Sequence, residues 1–240
     1  MSLVETPEQS SSSATYPRST VATTWRWLWP DVLIRVVPLT GIPLLWLVLW
    51  HRSPAELGLT LPPAPGTQLA LGLGLGSLMA LLAMLYRALI VGRGFRRPSP
   101  GDHLLQAFYY LFINAPAEEL FFRGFLLHLI WQWTGWPAWG WLVSTLVYTL
   151  YHRLGGWNWR SIAGVGLAGM VFSTLYLLQP APPSLLSVIL VHGLTTCGFL
   201  SWGDEFLYIV VSSSQHPQAD RPPSNTSKNQ RRARRRGPRR

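Results

Sequence analysis

Cysteine is almost absent: Cys197 is the one thiol in 240 residues, which rules out an internal disulfide and any cysteine-based metal cluster. Charge is scarce as well, at 12% Asp, Glu, Lys and Arg. No apolar core precedes Trp25, and residues 1–23 are rich in Ser and Thr, so a disordered lead is expected there and not a signal peptide. No repeat of about 20–50 residues is found. The chain holds no H-E-x-x-H for a zinc protease and no G-x-S-G for a serine intramembrane protease, and Ser144 has no such setting. Ser201-Trp202-Gly203-Asp204 approaches the G-x-G-D of aspartyl intramembrane proteases but lacks the first glycine and a Tyr-Asp partner. Asp204 is therefore expected at a membrane interface. Gly164-Val165-Gly166-Leu167-Ala168-Gly169 fits G-x-G-x-x-G by letter, yet it lies inside an apolar span with no strand before it. Close helix packing is the expected use, as for Gly72, Gly74 and Gly76.

What the chain has in quantity is apolar surface. Hydrophobic residues make up 48% of it and mean hydropathy is +0.19, which is wrong for a soluble domain of this length. Apolar spans run over 32–50, 67–92, 103–131, 137–152, 161–178 and 184–202, most of them near the ~20 residues that cross a bilayer. A shorter piece at 205–213 suits the interface. Thirteen Trp fit an aromatic belt, with Trp136, Trp139, Trp141 and Trp157 flanking the short 137–152 span. The fold expected is all-α, a polytopic transmembrane bundle of about six to eight helices over 24–213.

Arginine placement sets the orientation. With both termini inside, the cytoplasmic segments hold Arg18, Arg26, Arg93, Arg96, Arg97, Arg153 and Arg160, and the outside loops hold Arg52. This positive-inside asymmetry predicts six spans, or a close variant, of a multi-pass plasma-membrane protein with cytoplasmic ends. From Gln215 on, nine cations face Asp220, so eight of the ten net positive charges lie in the tail. Residues 214–240 are expected to be a disordered, polybasic cytoplasmic tail that is solvated and fixes the topology, with binding to anionic lipid headgroups as the alternative. Nucleic acid is not an expected partner, because no aromatic interleaving or folded basic domain accompanies the run.

Three ionisable residues in six positions, Glu118, Glu119 and Arg123, break the third span. Each costs roughly 2.5–3.5 kcal/mol at bilayer depth on insertion scales, which points to function. Helical geometry puts Glu119 and Arg123 on one face, a structural ion pair, and turns Glu118 toward Asn114. Pro116 between them removes a backbone hydrogen bond. Tyr148 with His152, and His192 with Thr196, repeat the i, i+4 spacing on two other spans. Polar faces in a membrane turn inward, so Glu118, His152 and His192 are expected to converge. A carboxylate and histidines so placed suit a general base that takes a proton from water and donors to a developing oxyanion. His103 and His128 are set aside, the first at a span end and the second off the Glu118 face.

With these residues in place the chain resembles the CPBP group of type II CAAX prenyl endopeptidases and bacteriocin-processing or immunity (Abi) proteins, over roughly 103–202. The E-E-x-x-x-R motif is Glu118-Glu119-Leu120-Phe121-Phe122-Arg123, followed by Gly124 and Phe125. F-x-x-x-H is met by Tyr148 to His152 with Tyr for Phe, and H-x-x-x-N by His192 with Thr196 for Asn. The resemblance implies an intramembrane glutamic endopeptidase without a cofactor or metal, acting on a peptide or membrane-associated protein. Glu118 and His152 would activate water, His192 and Thr196 would hold the oxyanion, and Glu119 with Arg123 would brace the site. A threonine hydroxyl is shorter than an amide and offers one donor. Two alternatives stay open: an inactive immunity or assembly factor on the same scaffold, and a metal-dependent hydrolase using Glu118, His152 and His192.

Overall fold

The computed structural model describes residues 19–92, 99–206 and 209. Most of the expected lead and of the 205–213 piece, the whole expected tail, and Arg93, Arg96 and Arg97 lie outside the described residues. Six helices are present among those described: α1 (Val21–Leu49), α2 (Pro65–Val91), α3 (100–134), α4 (Pro137–Leu154), α5 (Trp159–Leu177) and α6 (Leu186–Phe206). Helix α1 starts inside the expected lead, because Thr20 and Thr23 form a reciprocal capping box that satisfies orphan N–H groups at the first turn.

Four of the six, α1, α2, α5 and α6, are long and apolar enough to cross a membrane, which fits an integral membrane protein. Helices α3 and α4, expected as further spans, do not reach that standard. They carry the polar residues singled out above, which face the interior instead of lipid. At about 1.5 Å per residue, α3 runs to roughly 50 Å, well past the ~30 Å hydrocarbon layer.

In α1 and α3 the departures from regular α geometry have a legible cause. Pro30, Pro38 and Pro43 each remove a hydrogen-bond donor from α1, and the helix widens to i→i+5 bonding at Val32–Val36, the turn that holds Arg35. Around Pro116, α3 widens at Tyr110–Asn114 and again at Leu120–Leu127. Such wide turns recur at functional sites, and here they flank Glu118 and Glu119.

Small residues close the bundle. A Cβ at Gly72 or Gly76 would strike Leu190 or Leu194 of α6, and one at Gly198 would strike the Ala80 backbone. Gly164, Gly166 and Gly169 likewise abut Tyr86, Thr149 and Tyr148, whereas Gly74 faces open space. On the far side, a 3-10 turn at Pro54–Leu57 plugs the bundle, with Leu57 fully buried. Its carbonyl lies 2.5 Å from where a Gly124 Cβ would sit.

Packing gives partners to two residues expected at the membrane interface. Asp204 is paired with the buried Arg87 of α2, which also donates to the Phe199 carbonyl at 3.0 Å. Trp157 turns inward, stacked on Phe199 and edge-on to His152 at centroid distances of 5.7 and 5.4 Å.

Candidate active site

Glu118 follows Pro116 on α3 and is 1% exposed. Its two oxygens have different surroundings. Oε1 accepts from the Asn114 amide at 3.0 Å and from the Arg35 guanidinium. Oε2 has no hydrogen-bond partner among the described residues, although a buried polar atom ordinarily has one. It faces His152 Nε2 at 3.9 Å and His192 Nε2 at 3.6 Å.

Each histidine is held through its other nitrogen. His152, on the last turn of α4, donates Nδ1–H to the Tyr148 carbonyl at 2.9 Å. A carbonyl can only accept, so the neutral ring keeps its lone pair on Nε2, toward Glu118. His192 on α6 places Nδ1 2.6 Å from Glu119 Oε1, and its Nε2 is 3.4 Å from the Tyr148 hydroxyl. Phe172 stacks on the His192 ring at 4.8 Å.

Glu119 and Arg123 are both fully buried and meet at 2.8 Å. Arg123 spends its remaining donors on Ser173 Oγ at 3.3 Å and the Gly169 carbonyl at 3.1 Å, and lies over the Tyr148 ring at 4.4 Å. A charged group without solvent needs this many partners. Helical spacing alone makes Glu119 and Arg123 a two-residue brace. The pair is also the seat of His192, so α3, α5 and α6 are tied together, α6 through the Glu119 carboxylate and α5 through the Arg123 guanidinium.

Thr196 lines the same cavity and its hydroxyl makes no hydrogen bond among the described residues. The Asn114 amide, another potential oxyanion donor, is committed to Glu118. His103 contacts Ser201 and Glu205, and His128 sits 3.8 Å from Glu56, both away from Glu118.

Sequence reasoning misses Arg35. Its Nη1 lies 3.0 Å from Asp31, its Nε donates to the Tyr151 hydroxyl at 3.2 Å, and Asp31 in turn accepts from the Tyr109 hydroxyl. A signal is present in the sequence, since Asp31 and Arg35 are an i, i+4 pair of ionisable residues entering the first apolar span.

These groups border a cavity of about 910 Å³ walled by all six helices and largely apolar. Its lining comes from the N-terminal half of α1, including Trp27, Asp31 and Arg35, the C-terminal part of α2, the N-terminal half of α3, the end of α4, and the middle of α5 and α6. It runs from the α4–α5 turn, where Leu154, Gly155 and Trp157 line it, to mid-bundle. Among the described residues no group of three or more His, Cys, Asp or Glu is arranged to hold a metal ion.

A family model described as type II CAAX prenyl endopeptidase Rce1-like matches residues 100–198. That stretch contains Asn114, Glu118, Glu119, Arg123, Tyr148, His152, His192 and Thr196, and leaves Arg35 outside. Neither a curated protein nor a solved structure matches the chain. Residues 100–198, with the convergent carboxylates and histidines, belong to the Rce1-like type II CAAX prenyl endopeptidase family of the CPBP group.

Proposed function

We propose that this protein is an intramembrane glutamic endopeptidase that cleaves a peptide or membrane-associated protein near the cytoplasmic membrane face. The observation that carries the reading is the unpartnered Oε2 of Glu118, with the two histidine Nε2 atoms at 3.9 and 3.6 Å. Acceptors that face one point need a molecule that brings its own hydrogens, and a water donating to Glu118 Oε2 and His152 Nε2 meets that need.

Glu118 takes one proton as the water oxygen bonds to the scissile carbonyl carbon, and the carbonyl electron pair moves onto its oxygen. That oxyanion forms beside His192 Nε2 and Thr196, with the His192 ring oriented by Glu119 at Nδ1. The C–N bond then breaks, and the proton held by Glu118 passes to the leaving amine. The family supports an endopeptidase of CAAX type. The apolar cavity suits a membrane-bound substrate whose peptide reaches in from the arginine-rich end, where Arg26, Arg153 and Arg160 lie. A plasma-membrane protein with both termini cytoplasmic fits that end, and the basic tail fits anionic lipid.

The test uses purified protein and a farnesylated peptide ending in Cys-aliphatic-aliphatic-X. Mass spectrometry should find the C-terminal tripeptide released at a rate that a chelator leaves unchanged. Loss of cleavage on chelation would favour the metal-dependent hydrolase. A folded protein that cleaves neither this peptide nor unprenylated membrane peptides would favour the inactive immunity or assembly factor.

A further inference from the structure

We infer that Arg35 is a positioning residue for Glu118, holding it ionised and turned so that a single oxygen addresses the water. The inference rests on the proposed hydrolytic role of Glu118 but concerns a helix that lies outside the matched stretch 100–198.

The carboxylates around the site outnumber the guanidinium cations even with Arg35 included. Glu119 is neutralised by Arg123 at 2.8 Å and carries His192 at 2.6 Å, which leaves neither available as the direct counter-ion of Glu118 Oε1. The cation that touches that oxygen is Arg35. Asp31, Glu118 and Glu119 face Arg35 and Arg123, and without Arg35 a single cation would face three carboxylates. Without Arg35, a carboxylate that is 1% exposed loses its contact cation, and a buried charge in that condition takes up a proton. A protonated Glu118 cannot accept a proton from water.

Arg35 is fixed as well as charged. Each of its three nitrogens has a partner: Glu118, Asp31 and Tyr151. Its guanidinium lies 5.5 Å from the Tyr151 ring centroid. Because the guanidinium and Asn114 both hold Oε1, the carboxylate plane is set and Oε2 is left to the histidines. The same cation serves the next state. When the water proton reaches Glu118, the negative charge moves from the carboxylate to the tetrahedral oxygen in the same cavity, and Arg35 remains to offset it electrostatically.

The experiment compares full-length wild type, Arg35→Gln and Arg35→Lys in lipid, each with and without Glu118→Gln. The infrared difference spectrum between each protein and its Glu118→Gln counterpart reports the state of that side chain. The expected result is a carboxylate band in wild type and Arg35→Lys, and a carboxylic-acid band in Arg35→Gln. On the farnesylated peptide, kcat should fall on the order of 100-fold in Arg35→Gln with KM little changed, and Arg35→Lys should recover part of it. A carboxylate band that persists in folded Arg35→Gln, or an unchanged kcat, overturns the inference. If Arg35→Gln does not fold, a carboxylic-acid band in Arg35→Lys overturns it and a carboxylate band supports it. Should wild type fail to cleave, the proposed hydrolysis fails, while the infrared arm still decides whether Arg35 holds Glu118.

Discussion

Buried charges at single residues make the sharpest predictions. Glu119 and Arg123 are wholly out of solvent, so removing either one strands the other. Glu119→Gln or Arg123→Gln should each destabilise the fold by about 3–5 kcal/mol, and the double change should cost less than the sum of the two. Detergent-titration unfolding of the three variants checks this, and simple additivity would mean that the pair is not coupled. Thr196 tests the oxyanion pocket. Thr196→Asn should raise turnover by extending an amide toward the cavity, and Thr196→Val, which keeps the shape without the donor, should lower it. Equal turnover in all three, measured on the farnesylated peptide, would remove Thr196 from the chemistry.

Close helix contacts make predictions at the next scale up. A methyl group at Gly124 would meet the Leu57 carbonyl at 2.5 Å, whereas Gly41 has nothing within 4 Å. Gly124→Ala should therefore lose about 1–3 kcal/mol by overpacking, and Gly41→Ala, on an open helix face, should be neutral or slightly stabilising. Thermal unfolding in micelles distinguishes them, and equal melting temperatures would show that the Leu57 turn yields. Much of this level is legible in the sequence. The i, i+4 spacing places Asn114 against Glu118 and Glu119 against Arg123, and the glycine runs mark the α2–α6 and α4–α5 seams. Arg35 is not legible by the same route, because it lies 83 positions from Glu118 and periodicity within a helix says nothing about which helix lies across from it. Pro30 lies inside α1 and is accommodated by the wide turn after it, so the helix reaches back to Val21. The pairing of Asp204 with Arg87 is hidden for the same reason as that of Arg35 with Glu118, since the partner is on another helix.

Across the whole molecule, helix direction and charge place the site. The alternating direction of successive helices brings Arg26, Arg153 and Arg160 to the end where the cavity lies and leaves Arg52 and Glu56 at the other. Reporter fusions at 179–183 and at the C-terminal tail should report external and cytoplasmic locations respectively, and an externally active reporter at the tail would reverse the proposed orientation. The proposed hydrolysis depends on Glu118 as the base, the carboxylate whose Oε2 faces both histidines. The most direct test is steady-state cleavage of the farnesylated peptide by wild type and Glu118→Gln, with folding of each confirmed by its melting temperature. The amide keeps the size and cannot take a proton from water, so kcat should drop on the order of 100- to 10,000-fold. A folded Glu118→Gln protein that cleaves at the wild-type rate would rule out Glu118 as the base.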